Sequence, residues 1–320
     1  MPAIDGPEKS LAHGLPSPAR HGLNGAMPEL PEVETVMRGL KPVLEGRRIA
    51  AVSLRRAGLR FPFPDRFADR LTGSRVTGLW RRAKYILAGL DTGEILLIHL
   101  GMTGRFTVFS GQGARNLGEF YFEAAAGEAG QGLHDHVVLE LDDGARVVYT
   151  DPRRFGVMDL FPAEEQSTHK LLGGLGVEPL GNAFSADYLA ERFRGKAAPL
   201  KAALLDQHLI AGLGNIYVCE ALHRAGLSPR RKARTLVRKT GYDPRLSDLV
   251  RHVREVLAEA ITAGGSTLQD FAHTDGASGA FQQRFLVYDR EGEPCMSCGA
   301  PIERLVQSGR STFYCRHCQK

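Results

Sequence analysis

Four of the five cysteines form two pairs at the far C-terminus: Cys295-Met-Ser-Cys298, then sixteen residues, then Cys315-Arg-His-Cys318. Each C-x-x-C sets two thiolates on one tight turn, and two such pairs at this separation match a tetrathiolate zinc site. Two disulfides or a thioredoxin-type redox pair are the alternatives. The N-terminal text lacks an apolar export segment after a basic start, which disfavours the first, and no βαβ unit flanks the pairs, which disfavours the second. The intervening "PIERLVQSGRSTFY" predicts two short strands about a turn at Ser308-Gly309, a β-hairpin zinc ribbon. His317 lies between the last two ligands and is not expected to join them. Cys219, in an apolar helical stretch, reads as a buried thiol without chemistry. A zinc ribbon identifies a metal and leaves the function open.

The second group with chemical potential is cationic. The net charge is +5 with a pI near 9.0, a mild bias that is weak evidence for a polyanionic partner. Its placement says more: "RRAK" (81–84), "DPRRF" (151–155) and "SPRRKARTLVRK" (228–239) are local clusters, with Arg304, Arg310 and Arg316 near the C-terminus. "TDPRRFG" sets two arginines and an aromatic after a strand. It reads either as an Asp-Pro surface loop or as a wedge that enters a duplex. "AGLGN" joins two helical segments; Asn215 would cap the second, whose N-terminal amides can hold a phosphate. Gly212 and Gly214 would let the backbone approach an anion, though an ordinary helix–turn–helix corner fits the same text.

Elements must position these groups. Residues 1–26 hold four prolines, four glycines and no apolar period, so they are expected to be a disordered extension or a start placed too far upstream. From Pro31 the apolar residues Val33, Val36, Met37, Leu40, Val43 and Leu44 recur at three and four, a helix with an acidic first turn. "RIAAVSL", "RVTGLW", "KYILAGL", "EILLIHL", "RFTVF", "HVVLEL", "RVVYT" and "GVMDLF" then read as strands separated by turns such as "DTGE" and "DDGA". Many short strands in succession predict a β-sandwich or barrel-like domain, with residues 111–132 as a surface insertion. After about residue 162 the period becomes helical: "DYLAERF", "LKAALLDQ", "NIYVCEALHRAG" and "LSDLVRHVREVLAEAITAG". The glycine-rich 172–182 is the expected hinge, and "FLVYDREGEPC" returns to strand-like text. No apolar run is long enough to span a bilayer.

Taken in order, "PELPEVET" after Met27, "RRAKYIL", "IHLGMTGRF", "HDHVVLEL", "YTDPRRFG", "GLGNIYVCEAL" and "RSTFYCRHCQK" strongly resemble bacterial formamidopyrimidine-DNA glycosylase over residues 27–320. The opening and the terminal ribbon are more similar to this family than to its relative endonuclease VIII, which opens "PEGPE". The resemblance implies an α+β fold. An N-terminal catalytic β-sandwich with flanking helices (27–171) would be followed by the linker 172–182. A helical helix-two-turn-helix domain (183–284) and a zinc ribbon (285–320) would complete it. It further implies a cytoplasmic, nucleoid-associated bacterial monomer that binds duplex DNA with oxidised bases or abasic sites and uses one structural Zn2+ on Cys295, Cys298, Cys315 and Cys318.

The implied chemistry excises oxidised purines, 8-oxoguanine and formamidopyrimidines, and then cuts the strand by β- and δ-elimination. The family's nucleophile corresponds to the amine of Pro28, a secondary amine with a reference pKa near 8 that is partly neutral at pH 7. While Pro28 stays bonded to Met27 its nitrogen is an amide without a basic lone pair, so either translation begins at Met27 with trimming, or residues 1–27 are cleaved, or the long form is inactive as a lyase. Glu29 matches the acid that protonates the sugar oxygen, Lys84 the lysine of β-elimination, and Arg310 the arginine of δ-elimination. His134, Arg153, Lys196 and Asn215 match DNA contacts, while Met102, Arg153 and Phe155 match the residues that fill the duplex when the damaged base is flipped out. "HTDGASGAFQQ" (273–283) resembles the loop that closes over that base, and Glu220 is a candidate to face the pocket. An endonuclease VIII-like pyrimidine preference, or a catalytically silent zinc-ribbon DNA-binding protein, are the competing readings.

Overall fold

The computed structural model describes residues 27–111, 113–117, 131–266 and 281–320. The expectations for residues 1–26, for most of the 111–132 insertion and for 273–280 of the closing loop lie outside them. Helix α1 (Leu30–Leu44) begins with Pro31 in its first turn and buries Val33, Val36, Met37, Leu40 and Leu44 along one face. Each of these side chains, fully buried, contributes roughly 1.5–3 kcal/mol.

All eight predicted strands are present, arranged in two antiparallel sheets. One contains β1 (Ile49–Leu54), β5 (Arg105–Ser110), β6 (Gly113–Leu117), β7 (Asp135–Leu141) and β8 (Arg146–Thr150), in the order β1-β7-β8-β5-β6. The other runs β2 (Val76–Arg82), β3 (Tyr85–Leu90), β4 (Glu94–His99) and β9 (Val157–Pro162) in chain order. Ile86, Leu96 and Ile98 of the second sheet and Phe106, Leu139 and Val147 of the first share one core with α1. The outward side chains Leu87, Ile95, Leu97 and Phe161 are covered by Leu172 of the linker. Strand β6 was not foreseen: its text, "GARNL", is polar because it lies at the sheet edge, and it falls inside the expected insertion. Helix α2 (Phe67–Leu71) was also missed, being too short to show a period.

The helical half contains α3 (Ala186–Phe193), α4 (Leu200–Leu204), α5 (Asn215–Arg224) and α6 (Arg245–Thr262). Ser185 caps α3 by accepting from Tyr188 N at 3.1 Å. Strands β10 (Glu303–Gln307) and β11 (Arg310–Tyr314) form the C-terminal hairpin. Ser308 and Gly309, at φ 51° and 72°, make the two-residue turn that matches strand twist. Cys295, Ile302, Phe313 and Cys315 share the core of the helices, so the ribbon is packed against them.

Two expectations need revision. The text at 285–290 forms no strand, because the N–H groups of Leu286, Val287 and Tyr288 donate to the Glu220 carboxylate at 2.8, 3.0 and 2.8 Å. The linker, although glycine-rich, is fastened on both sides. Gly176 N donates to Gln207 O at 2.8 Å and Val177 pairs with Ile210. Glu178 accepts from Arg81 and Arg82, each at 2.8 Å, and from Ala83 N at 2.6 Å.

Candidate active site

Glu29 stands where the two halves meet. Its backbone N–H donates to Glu32 at 2.9 Å, closing a capping box at the start of α1. Its side chain crosses to the helical half, where Oε1 accepts from Ile216 N at 3.0 Å. The N-cap of α5 is Gly214, which corrects the expectation that Asn215 caps it. A Cβ at Gly214 would fall 2.1 Å from the Glu29 carboxyl carbon, so any side chain there would push that carboxyl off the end of α5. The group that the backbone approaches closely at Gly214 is the protein's own Glu29 carboxyl.

Glu29 is 3% exposed, and its Oε2 has no hydrogen-bond partner among the described residues. Burial pushes its carboxyl up from the ordinary 4.5 to about 7; Lys84 opposes this, Glu32 adds to it, and the Ile216 and Tyr217 amides oppose it. Pro28, next to it, is buried and Met27 half-buried. Glu32, expected only as a helix-terminal carboxylate, also accepts from Tyr217 Oη, from Ser266 N at 2.7 Å and from Ser266 Oγ at 2.8 Å. Glu34 pairs with Arg38 and Arg81, each at 2.8 Å.

Lys84 is presented on the turn between β2 and β3, behind Ala83, whose φ of 54° is strained for a residue with a side chain. The Glu178 clamp and a bond from Arg81 Nη1 to Ala83 O at 2.8 Å hold that backbone. Burial pulls the Lys84 ammonium below its ordinary value, with Glu29 opposing and Arg310 reinforcing the fall. His99 is likewise pushed down to about 4 by burial and by Lys84 and Arg60, so its ring is neutral. Its Nδ1 accepts from Gly101 N at 3.0 Å.

Arg310 opens β11 at the hairpin turn and is exposed. The next residue is pinned from the helical half: Ser311 O accepts from Asn215 Nδ2 at 3.0 Å and from Lys201 Nζ at 2.9 Å. Lys201, fully buried, also donates to Thr312 Oγ1 at 2.6 Å. Asn215 thus joins α5 to the hairpin.

Met102, Arg153 and Phe155 are brought together. A Cβ at Gly101 would meet the Phe155 carbonyl carbon at 2.4 Å, so the two turns pack backbone to backbone. Buried Asp151 ties them: it accepts from Thr103 Oγ1 and from Gly156 N at 2.8 Å, while Arg153 N donates to Thr103 Oγ1. The Arg153 guanidinium lies 4.8 Å from the ring centre of the exposed Phe155. His134 is exposed, and its carbonyl accepts from Asp151 N, which seats it beside the same loop. Lys196 is half-buried against Asp206 at 3.3 Å. Glu220 does not face this site; its oxygens are occupied by residues 286–288. Glu32, Asp151, Glu178 and Lys201 were missed, and of these only the Glu29-x-x-Glu32 spacing gives a signal in the sequence.

The thiolates of Cys295, Cys298, Cys315 and Cys318 all lie within 4.8 Å of one another. Cys295 to Cys318 is 3.9 Å and Cys298 to Cys315 is 3.5 Å. A tetrahedron with Zn–S of about 2.3 Å has edges of about 3.8 Å, so the four sulfurs fit one zinc ion. Cys219 stands apart, buried, its thiol pushed up to about 11 by burial, and is inert as expected.

Three family models match the chain. They are the formamidopyrimidine-DNA glycosylase N-terminal domain over 27–158, the same enzyme's H2TH domain over 175–272, and the zinc finger found in FPG and IleRS over 292–320. A formamidopyrimidine-DNA glycosylase of Methylobacterium sp. (strain 4-46) is 57% identical over 92% of this chain and 99% of its own. One of Rhodopseudomonas palustris (strain TIE-1) is 57% identical over 92% and 100%. The crystal structure of MutM (Fpg) from Thermus thermophilus superposes with a TM-score of 0.74 at 40% identity, covering 91% of this chain and 98% of that one. Lactococcus lactis Fpg in complex with abasic-site DNA gives 0.78 at 29% identity, covering 92% and 100%. The chain belongs to the formamidopyrimidine-DNA glycosylase family.

Proposed function

We propose that this protein is a bifunctional DNA glycosylase and abasic-site lyase that removes oxidised purines from duplex DNA, with the secondary amine of Pro28 as nucleophile. The observation that carries this reading is Glu29. It is a buried carboxyl beside Pro28 with one oxygen unpaired among the described residues and an affinity for its proton near neutrality. The neutral Pro28 nitrogen bonds to C1′ of the damaged nucleotide as the glycosidic bond breaks, and the proton that the nitrogen gives up departs with the base. Glu29 gives its proton to O4′ as the C1′–O4′ bond opens, leaving a C1′ iminium. The iminium acidifies C2′, and loss of that proton expels the 3′ phosphate. A second elimination expels the 5′ phosphate.

Lys84, low in proton affinity and close to Glu29, is assigned to proton transfer in the first elimination, and Arg310 to gripping phosphate in the second. Met102, Arg153 and Phe155 fill the space of the extruded base, while His134, Asn215 and Lys196 contact the backbone. The zinc tetrathiolate is structural: it crosslinks the ribbon that aims Arg310. The chain is divided at 27–171, 172–182, 183–284 and 285–320. An enzyme that acts on chromosomal DNA belongs in the bacterial cytoplasm, at the nucleoid. Among the described residues no helix is long and apolar enough to cross a membrane.

Pro28 acts only with a free nitrogen, reached by initiation at Met27 and its removal, or by cleavage after it. Borohydride trapping on an 8-oxoguanine duplex tests the chemistry, with intact-mass measurement of the same sample. A covalent adduct from protein beginning at Pro28 is expected. No adduct from such protein would sink the assignment, and full lyase activity in protein beginning at Met1 would remove Pro28 from its role. Faster processing of thymine glycol than of 8-oxoguanine would move the specificity to pyrimidines.

A further inference from the structure

Helix α5 turns a polar series toward the ribbon: Asn215, Cys219 and His223 recur at intervals of four. Asn215 holds Ser311 at one end. At the other end, in the last turn, His223 is 6% exposed and its Nε2 lies 3.5 Å from Cys295 Sγ. The opposite ring nitrogen, Nδ1, is buried without a partner among the described residues. A proton on Nδ1 would be buried with nothing to receive it. The ring therefore carries its proton on Nε2, aimed at the sulfur.

Four thiolates around one divalent cation leave a net charge of −2, partly on the buried Cys295 and Cys315, and N–H donors to sulfur disperse it. The ribbon supplies one such donor from its own backbone, Cys318 N to Cys315 Sγ at 3.5 Å. We propose that His223 donates its Nε2–H to the Cys295 thiolate of the zinc-loaded ribbon, an outer partner of the metal centre contributed by the helical half, and so slows zinc loss. This rests on the zinc assignment above. It makes α5 a strut fixed to the ribbon at both ends.

The test is zinc release from the full-length protein into excess chromogenic chelator, for wild type, His223→Phe and His223→Gln. Phenylalanine keeps a ring of similar size and removes the donor; glutamine returns an N–H near the position of Nε2. Release about tenfold faster in His223→Phe, with His223→Gln near wild type, is expected. Equal rates in wild type and His223→Phe would overturn the proposal. Equal acceleration in both variants would reduce the histidine to packing and overturn it too. Wild-type protein that contains no zinc on elemental analysis after acid digestion would overturn the metal assignment itself, a distinguishable failure. Wild-type protein exchanged with NMR-active cadmium and labelled with 15N-histidine supplies a readout without substitution. Scalar coupling between cadmium and the His223 Nε2 proton is expected, and a ring protonated only at Nδ1 contradicts the assignment.

Discussion

Two buried carboxylates meet helix α5, and they are held in opposite ways. Glu220 projects from the middle of the helix, is fully buried, and takes three backbone N–H groups of residues 286–288. Glu29 arrives from the sandwich at the N-terminus of the same helix and is 3% exposed. Its Oε1 accepts from Ile216 N with the Tyr217 amide nearby, and its Oε2 has no partner among the described residues. Residue type and burial are alike; what differs is the supply of donors. A carboxylate ringed by amides anchors a chain segment. One left half-satisfied in a dry site can take up and return a proton near pH 7. Burial alone therefore does not mark a catalytic acid.

The largest effect that tests this contrast is on catalysis. Glu29→Gln keeps size and removes the proton donor, so single-turnover release of 8-oxoguanine should fall about 10²–10⁴-fold. Glu220→Gln should leave the rate per folded molecule within a few fold. It should lower unfolding stability by about 2–4 kcal/mol in denaturant titration, because an amide replaces a carboxylate that satisfied three buried donors. Equal losses of rate in the two variants would break the comparison.

The next effect is on stability and has a definite sign. The folded-state pKa of Glu29 is about 7 against an ordinary 4.5, so the native protein holds this proton more tightly than the unfolded chain. Its charge penalty is absent below about pH 4.5, grows as pH rises, and is complete above about pH 7. Glu29→Gln should therefore become more stable relative to wild type across that window, by on the order of 1–3 kcal/mol at pH 8. A pH-independent difference would show that Glu29 ionises as an ordinary surface carboxyl.

The same contrast explains what the sequence could reveal. Eight strands and the four thiolates were legible because their signals are local: alternation, turn residues and C-x-x-C spacing. The Ser308-Gly309 turn was legible for the same reason, its two residues adopting the positive φ that a tight hairpin needs. Glu29 meets Ile216 across 187 residues, and Glu32 meets Ser266 across 234, contacts that no window contains. Asn215 looked like the cap of α5 because asparagine is a favoured cap residue. Tertiary structure overrode that preference by filling the helix end with Glu29, for which only Gly214 leaves room. Glu220 was a candidate for the pocket by its place on the helix after Asn215, and its partners at 286–288 looked like strand text. The resemblance supplied roles for Pro28, Lys84 and Arg310, but not the shell of Asp151, Glu178 and Lys201 that holds the loops around them.

The smallest effect tests whether the strut aims the arginine or merely holds the ribbon. Asn215→Ala removes one of the two side-chain donors on Ser311 O and leaves Lys201 Nζ in place. The expected stability loss is only about 0.5–1.5 kcal/mol, since the carbonyl keeps a charged partner. Yet Ser311 adjoins Arg310, so the second elimination should slow relative to the first, and β-product should accumulate before δ-product on a pre-formed abasic site. Asparagine carries no charge, so the salt dependence of DNA affinity should not change, whereas Arg153→Ala should lower that slope by about one. An Asn215→Ala enzyme with wild-type product ratios would mean that Lys201 alone positions Arg310, and the share of α5 in the chemistry would then run only through its N-terminal amide on Glu29.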